Sequence, residues 1–303
     1  NFLETRIKFY IERSFLKKII SFISWDLYGN FSLVLRIHGT TLLMNNFFGL
    51  AMVASIQVSN QITAALHSLS SNLLIAVKPQ LMKSYAENDL KRTNELIGFS
   101  SKYAYYLMLI FCAPIISNIG YILDLWLVNP PEYTKVIAIF MLITSLIGVI
   151  FNPIIMLIHA TGNVKKISFL TGTLILLSVP IVYILFKFGF EYYYAYIVFT
   201  VNSLLIGFLN LWIAKNLVAD FKVFQFVREV LVNLIITTAV VCFILYFLNK
   251  GVVVDEFLSF VLISISQIII CVFSIYILGI DRDHKDIINQ YLNLKFKKWI
   301  GKA

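Results

Sequence analysis

Residues 19–44 form an apolar stretch, yet they carry Asp26, Asn30, Arg36 and His38 where hydrocarbon side chains would be expected. Ionisable groups within a bilayer are costly, and they mark a substrate path, an ion site or a paired structural charge. At about 100° per residue, with Asp26 as zero, Asn30 falls near 40°, Arg36 near 280° and Thr40 near 320°, so these four share a broad helical face. His38 falls near 120°, off that face, and reads as a packing residue. A rise of about 1.5 Å per residue puts Asp26 and Arg36 roughly 15 Å apart, too far for a direct ion pair. A fixed cation such as Arg36 suits an anionic group. Two accounts of it stand side by side: it pairs with an acid elsewhere in the protein, or it lines a hydrated substrate path. Asp26, beside Trp25 and Tyr28, reads as a solvated interfacial carboxylate, with proton coupling as the alternative.

A second polar pattern follows. Gln57, Asn60, Gln61, Ala64, His67, Ser68, Ser71 and Asn72 recur at helical spacing along one face of residues 50–77. Small polar residues alone would serve hydrogen bonding between helices. The added amides and histidine favour a water-filled cavity wall with Gln57, Asn60, Gln61 and His67 facing a ligand. His67 is, by residue type, also a candidate for ion coupling. Pro114, Pro153 and Pro180 stand within later apolar runs, with Gly148 and Asn152 close to Pro153. Such residues remove backbone hydrogen bonds and permit the bends that frame many transporter sites.

The elements that must position these groups are membrane helices. Of 303 residues, 59% are hydrophobic and 14% charged, with a mean hydropathy of +0.84. Soluble domains carry about 25% charged residues, so this chain has too few to clothe a water-facing surface. A spanning helix needs about 20 mostly apolar residues, and windows at 19–44, 50–77, 98–120, 136–160, 166–187, 192–214, 229–248 and 257–279 qualify as eight expected spans. Cys112, Cys242 and Cys271 lie in apolar runs without metal-ligand spacing and read as packing residues. No metal or cofactor is expected.

Lysines and arginines alternate between connections. Arg6, Lys8, Arg13, Lys17 and Lys18 precede the first window, and Lys78, Lys83, Lys91, Arg92 and Lys102 follow the second. Lys165 and Lys166, then Lys215, Lys222 and Arg228, then the tail cations occupy the same side, against Lys135, Lys187 and Lys250 on the other. Cytoplasmic loops carry such an excess, so both ends are expected to be cytoplasmic. The net charge of +9 then reflects topology and requires no nucleic-acid partner. Residues 1–18 read as an interfacial linker continuing from an upstream portion. Residues 19–214 form a six-helix unit, 215–280 an additional pair, and 281–303 a basic amphipathic tail on the inner leaflet. Tyr192, Tyr193, Tyr194 and Tyr196 read as an aromatic belt at the outer interface.

Arg36–Ile37–His38–Gly39, Asn45–Asn46–Phe47–Phe48–Gly49, the Gln57–Asn72 stripe and Lys78–Pro79–Gln80 with Ser84–Tyr85–Ala86 resemble bacterial polysaccharide flippases of the O-antigen or capsule type. These belong to the multidrug/oligosaccharidyl-lipid/polysaccharide exporter superfamily. Tyr121–Thr134 looks like the family's outer loop after its ninth helix, and Ala160–Asn163 like the inner turn after its tenth. The resemblance covers roughly residues 20 to 215. It implies an all-α bundle whose eight spans are the second six-helix lobe plus two C-terminal helices of a fourteen-helix transporter. The first lobe would lie upstream and supply half of a central cavity.

The resemblance further implies alternating access for an undecaprenyl-diphosphate-linked oligosaccharide, moved from the inner to the outer leaflet of the bacterial cytoplasmic membrane. Cationic cavity residues would attract the diphosphate, and Arg36 is the position that matches the family's basic residue. Membrane lipids and a polysaccharide polymerase machinery are the further expected partners. A multidrug efflux antiporter shares the fold but favours buried carboxylates. A membrane polymerase or ligase would need catalytic groups, for which only Asp124 and Glu132 in the outer loop stand as candidates.

Overall fold

The computed structural model describes residues 13–250 and 256–281, with residues 285, 286 and 290. The helices are α1 (Arg13–Phe48), α2 (Leu50–Ala86), α3 (Leu90–Ser117), the short α4 (Ile119–Trp126), α5 (Thr134–Ala160), α6 (Lys165–Lys187) and α7 (Tyr193–Leu217). They are followed by α8 (Val223–Asn249) and α9 (Phe257–Gly279). Among the described residues no strand occurs. The expected tail at 281–303 and most of the linker at 1–18 lie outside the described residues.

Six of these helices, α3, α5, α6, α7, α8 and α9, are long and apolar enough to cross a membrane. The chain therefore has the helices of a multi-pass membrane protein. α1 and α2 are the longest, at 36 and 37 residues, yet they are not among the six. Length is not what they lack, since even 36 residues extend about 54 Å against a hydrocarbon core of about 30 Å. Their polar faces lower their hydropathy.

Local chemistry sets the joints. Gly49, the only residue between α1 and α2, adopts φ 81°, a backbone region that side chains rarely enter. Asn88 at φ 60° ends α2, and the Asp89 carboxylate accepts a hydrogen bond from the Arg92 amide at 3.0 Å to start α3. Pro114, Pro153 and Pro180 sit inside continuous helices. The irregular turns fall elsewhere, as π-helical segments at Val227–Leu231 and Ile275–Gly279.

The packing order is α1 on α6, α6 on α7, α7 on α5, α5 on α2, with α2 and α1 touching more lightly. These five helices surround a cavity. α3 packs on the outer side of α2 and α5, and it carries α8 and α9. The main core lies on both sides of α5, where it meets α3 and where it meets α7, around Ile97, Met108, Leu142, Ile154, Leu157, Ile158 and Ile213, each fully buried. Close approach needs glycine at one junction: a Cβ on Gly207 would stand 2.3 Å from the Phe151 ring. Apolar side chains of α8 and α9 such as Ile235, Phe243, Leu262 and Phe273 point outward, as lipid-facing surfaces do. Cys242 is also exposed, whereas Cys112 and Cys271 are buried, so packing accounts for two of the three cysteines.

Candidate functional site: a polar cavity between α1, α2, α5, α6 and α7

The five helices line an open cavity of about 760 Å³. Asp26, Asn30, Arg36 and Thr40 line it from α1, together with Leu33 and Ile37. All fall within the face expected from the helical angles, and His38 is exposed and absent from the lining. Asn30 donates to the Asp26 carboxylate at 3.1 Å and to the Asp26 carbonyl at 2.9 Å. Asp26 therefore has a partner within its own helix.

Arg36 is half-buried, and its guanidinium carbon lies 5.6 Å from the centre of the Phe199 ring on α7. A cation over an aromatic face gains about 0.5–2 kcal/mol, more as water is excluded. Among the described residues the ion pairs are Lys83–Glu87 and Lys102–Asp281. Arg36 belongs to neither, so its charge is held by a ring and remains available to an anion in the cavity.

α2 contributes Asn60, Thr63 and His67. His67 Nδ1 pairs with the Ser71 hydroxyl at 2.9 Å. Gln57 and Gln61 are exposed on α2 and are not among the lining residues. The reason is rotational: counting from Asn60, Ile56, Thr63 and His67 lie within about 60° on one side, while Gln57, Gln61 and Ser68 lie roughly 60–100° to the other. The stripe is thus split. One edge faces the cavity and the rest faces outward, while Ser55, Ser59 and Ser70 are buried on the opposite side.

More than half of the lining comes from helices whose sequences drew little notice. α5 supplies Thr144, Asn152 and His159; α6 supplies Ser168 and Thr171; α7 supplies Tyr196, Ser203 and Asn210. Tyr196, expected in the outer belt, is 3% exposed and turns its ring inward. Tyr192, Tyr193 and Tyr194 do form a stacked cluster, joined by Tyr133 and Phe48. The only signal for the missed residues was a single polar side chain in an apolar run. Such a signal becomes a site only when neighbouring helices bring several together.

Hydrogen-bonding state sorts these groups. Thr144 pairs with Thr200 at 2.8 Å, and Asn202 donates to the Leu174 carbonyl at 3.1 Å. Thr40 Oγ1, the Tyr196 hydroxyl and both polar atoms of Asn210 are buried without a partner. Leaving a buried polar group unpaired costs about 1–3 kcal/mol. All three residues line this cavity. Asp124 and Glu132, expected in an outer loop, are exposed on and after α4 and are not among the lining residues. The cavity offers one unpaired cation, one carboxylate, two histidines and a series of neutral donors and acceptors, a set fitted to binding a polar anion. Among the described residues no cluster of His, Cys, Asp or Glu is placed to hold a metal ion. No protein-family model matches the chain, and no curated protein or solved structure matches it either.

Proposed function

We propose that this protein is a membrane transporter that moves an anionic, lipid-linked oligosaccharide across the bacterial cytoplasmic membrane by alternating access. The single observation that carries the reading is Arg36: a half-buried guanidinium on a cavity wall, held against Phe199 and without a carboxylate partner among the described residues. A buried charge is normally paired. One left facing a cavity is suited to a diphosphate, and the neutral hydroxyls and amides around it are suited to sugar. The sequence resemblance to O-antigen and capsule flippases points the same way, toward an undecaprenyl-diphosphate carrier.

In this reading α1 and α2 also cross the membrane, for eight spans in all, with both ends cytoplasmic in keeping with the distribution of lysine and arginine. Their exposed faces, including Gln57, Gln61 and Ser68, meet an upstream lobe of the same protein, which supplies the opposite wall. Asp26 and His67 are the groups placed for ion coupling. A drug-efflux antiporter would need acidic residues where Arg36 stands, and a polymerase or ligase would need catalytic groups within reach of the cavity.

The test is deletion of the gene in its host. Lipid-linked repeat units should accumulate on the inner leaflet while surface glycan is lost. Normal export in a deletion strain that lacks a second copy would refute the proposal.

A further inference from the structure

Asn210 is 1% exposed, lines the cavity, and has no partner for either Oδ1 or Nδ2. The other buried asparagine of α7, Asn202, donates to a backbone carbonyl, so helix packing alone readily satisfies an amide in this bundle. A buried donor and acceptor left without partners beside a cavity are costly to keep unless something binds there.

The position of Asn210 along α7 gives the site a length. Phe199, Ser203, Ile206 and Asn210 all line the cavity at spacings that keep them on one face. Phe199 marks the level of Arg36. Asn210 is eleven residues further along, a rise of about 16 Å. Phe151 packs at Gly207, which brings Asn152 and Ile155 of α5 to the level of Asn210. The cavity is thus a slot with a cation toward one end and a neutral amide pair, Asn152 and Asn210, toward the other.

We infer that Asn210 hydrogen-bonds an uncharged hydroxyl- or amide-bearing part of the ligand whose anionic group sits at Arg36, so that the cavity selects a phosphorylated oligosaccharide over a phosphorylated monosaccharide. The assignment of the anion to a sugar phosphate rests on the transport reading above. A monosaccharide phosphate anchored at Arg36 is too short to reach Asn210; a chain of several rings spans the distance and satisfies both atoms of the amide.

The experiment measures binding of three probes, inorganic phosphate, glucose 1-phosphate and maltotriose 1-phosphate, to the complete protein in phosphatidylcholine nanodiscs. The expected order places maltotriose 1-phosphate about tenfold tighter than the other two, a difference of about 1.4 kcal/mol. Asn210→Leu should remove that advantage and leave phosphate and glucose 1-phosphate unchanged, and Asn210→Ala should do the same if leucine does not fit. Neither variant breaks a hydrogen bond within the protein, because neither amide atom has a partner there, so any fall in unfolding temperature reflects packing alone and the binding comparison is made on folded protein. The inference is overturned if the long probe has no advantage, or if Asn210→Leu and Asn210→Ala weaken all three probes equally. Failure of the transport reading looks different: phosphate itself then fails to bind, or Arg36→Gln leaves its binding unchanged.

Discussion

The two sides of α3 treat buried polar groups in opposite ways. Toward α8 and α9, several polar side chains are used up by one another, Ser101 on α3 being buried without a partner. Lys102, 3% exposed, places its ammonium 2.8 Å from both oxygens of Asp281. Gln267, fully buried, accepts from Asn118 at 2.7 Å and donates to Asn249 at 2.8 Å. The Tyr106 hydroxyl donates to Asn233, which donates in turn to the Leu278 carbonyl at 3.0 Å. Toward α5, α6 and α7, across the cavity, Arg36, Tyr196, Thr40 and Asn210 have no such partners. A polar residue in a membrane helix bundle can fasten helices together or await a ligand, and its hydrogen-bonding state tells the two apart. Asn233 and Gln267 are fasteners.

If that contrast is sound, substitutions on the two sides should separate stability from function. The largest effect on stability is expected for Lys102→Ala. It removes the buried ammonium and its pair with Asp281 and should cost less than the about 3–5 kcal/mol of breaking a fully buried pair, because Asp281 is 56% exposed; thermal unfolding of the purified protein would show it. Next comes Gly207→Leu, which drives a side chain into the Phe151 ring. Overpacking of this kind costs about 1–3 kcal/mol and should appear as a lower unfolding temperature together with an altered cavity. Gln267→Ala removes the donor to the Asn249 side-chain oxygen and one of the two acceptors of the Asn118 amide, which keeps the Pro114 carbonyl, and should cost about 1–3 kcal/mol, with no loss of ligand binding beyond that due to lower protein level. Smallest is Lys83→Ala. Its exposed pair with Glu87 at 3.7 Å contributes about 0.3–0.5 kcal/mol, within the error of most unfolding measurements. A cavity residue whose removal destabilised the fold as Lys102→Ala does would blur the contrast, and Tyr196→Phe is the sharpest such check, since it removes only an unpartnered hydroxyl.

How much of this was readable in the chain depended on whether the signal lay within one helix. The apolar runs of α3 and α5 through α9 announced themselves by length and composition, and the shared face of Asp26, Asn30, Arg36 and Thr40 followed from helical angles. The same arithmetic put Gln57 and Gln61 on a cavity wall, because the angle of one helix says nothing about how it is rotated against its neighbours. Asn210 and His159 escaped notice for a related reason, and Tyr196 was assigned to the outer belt with its neighbours. Asn210 and His159 are each an isolated polar residue in an apolar stretch, and only the packing of α5, α6 and α7 makes them part of a site. The helix ends were also misjudged where apolarity stopped before hydrogen bonding did: α2 runs on through Lys78 and Pro79 to Ala86.

The central claim is that Arg36 serves a ligand and does not fasten the fold. Its most direct test replaces Arg36 with alanine in the complete protein, expressed in the deletion host, and measures surface glycan together with the amount and unfolding temperature of the protein in the membrane. The account predicts loss of surface glycan with membrane protein at wild-type level and an unfolding temperature lowered by no more than the loss of the contact with Phe199. Wild-type glycan in that strain, or glycan lost only in proportion to lost protein, would contradict it.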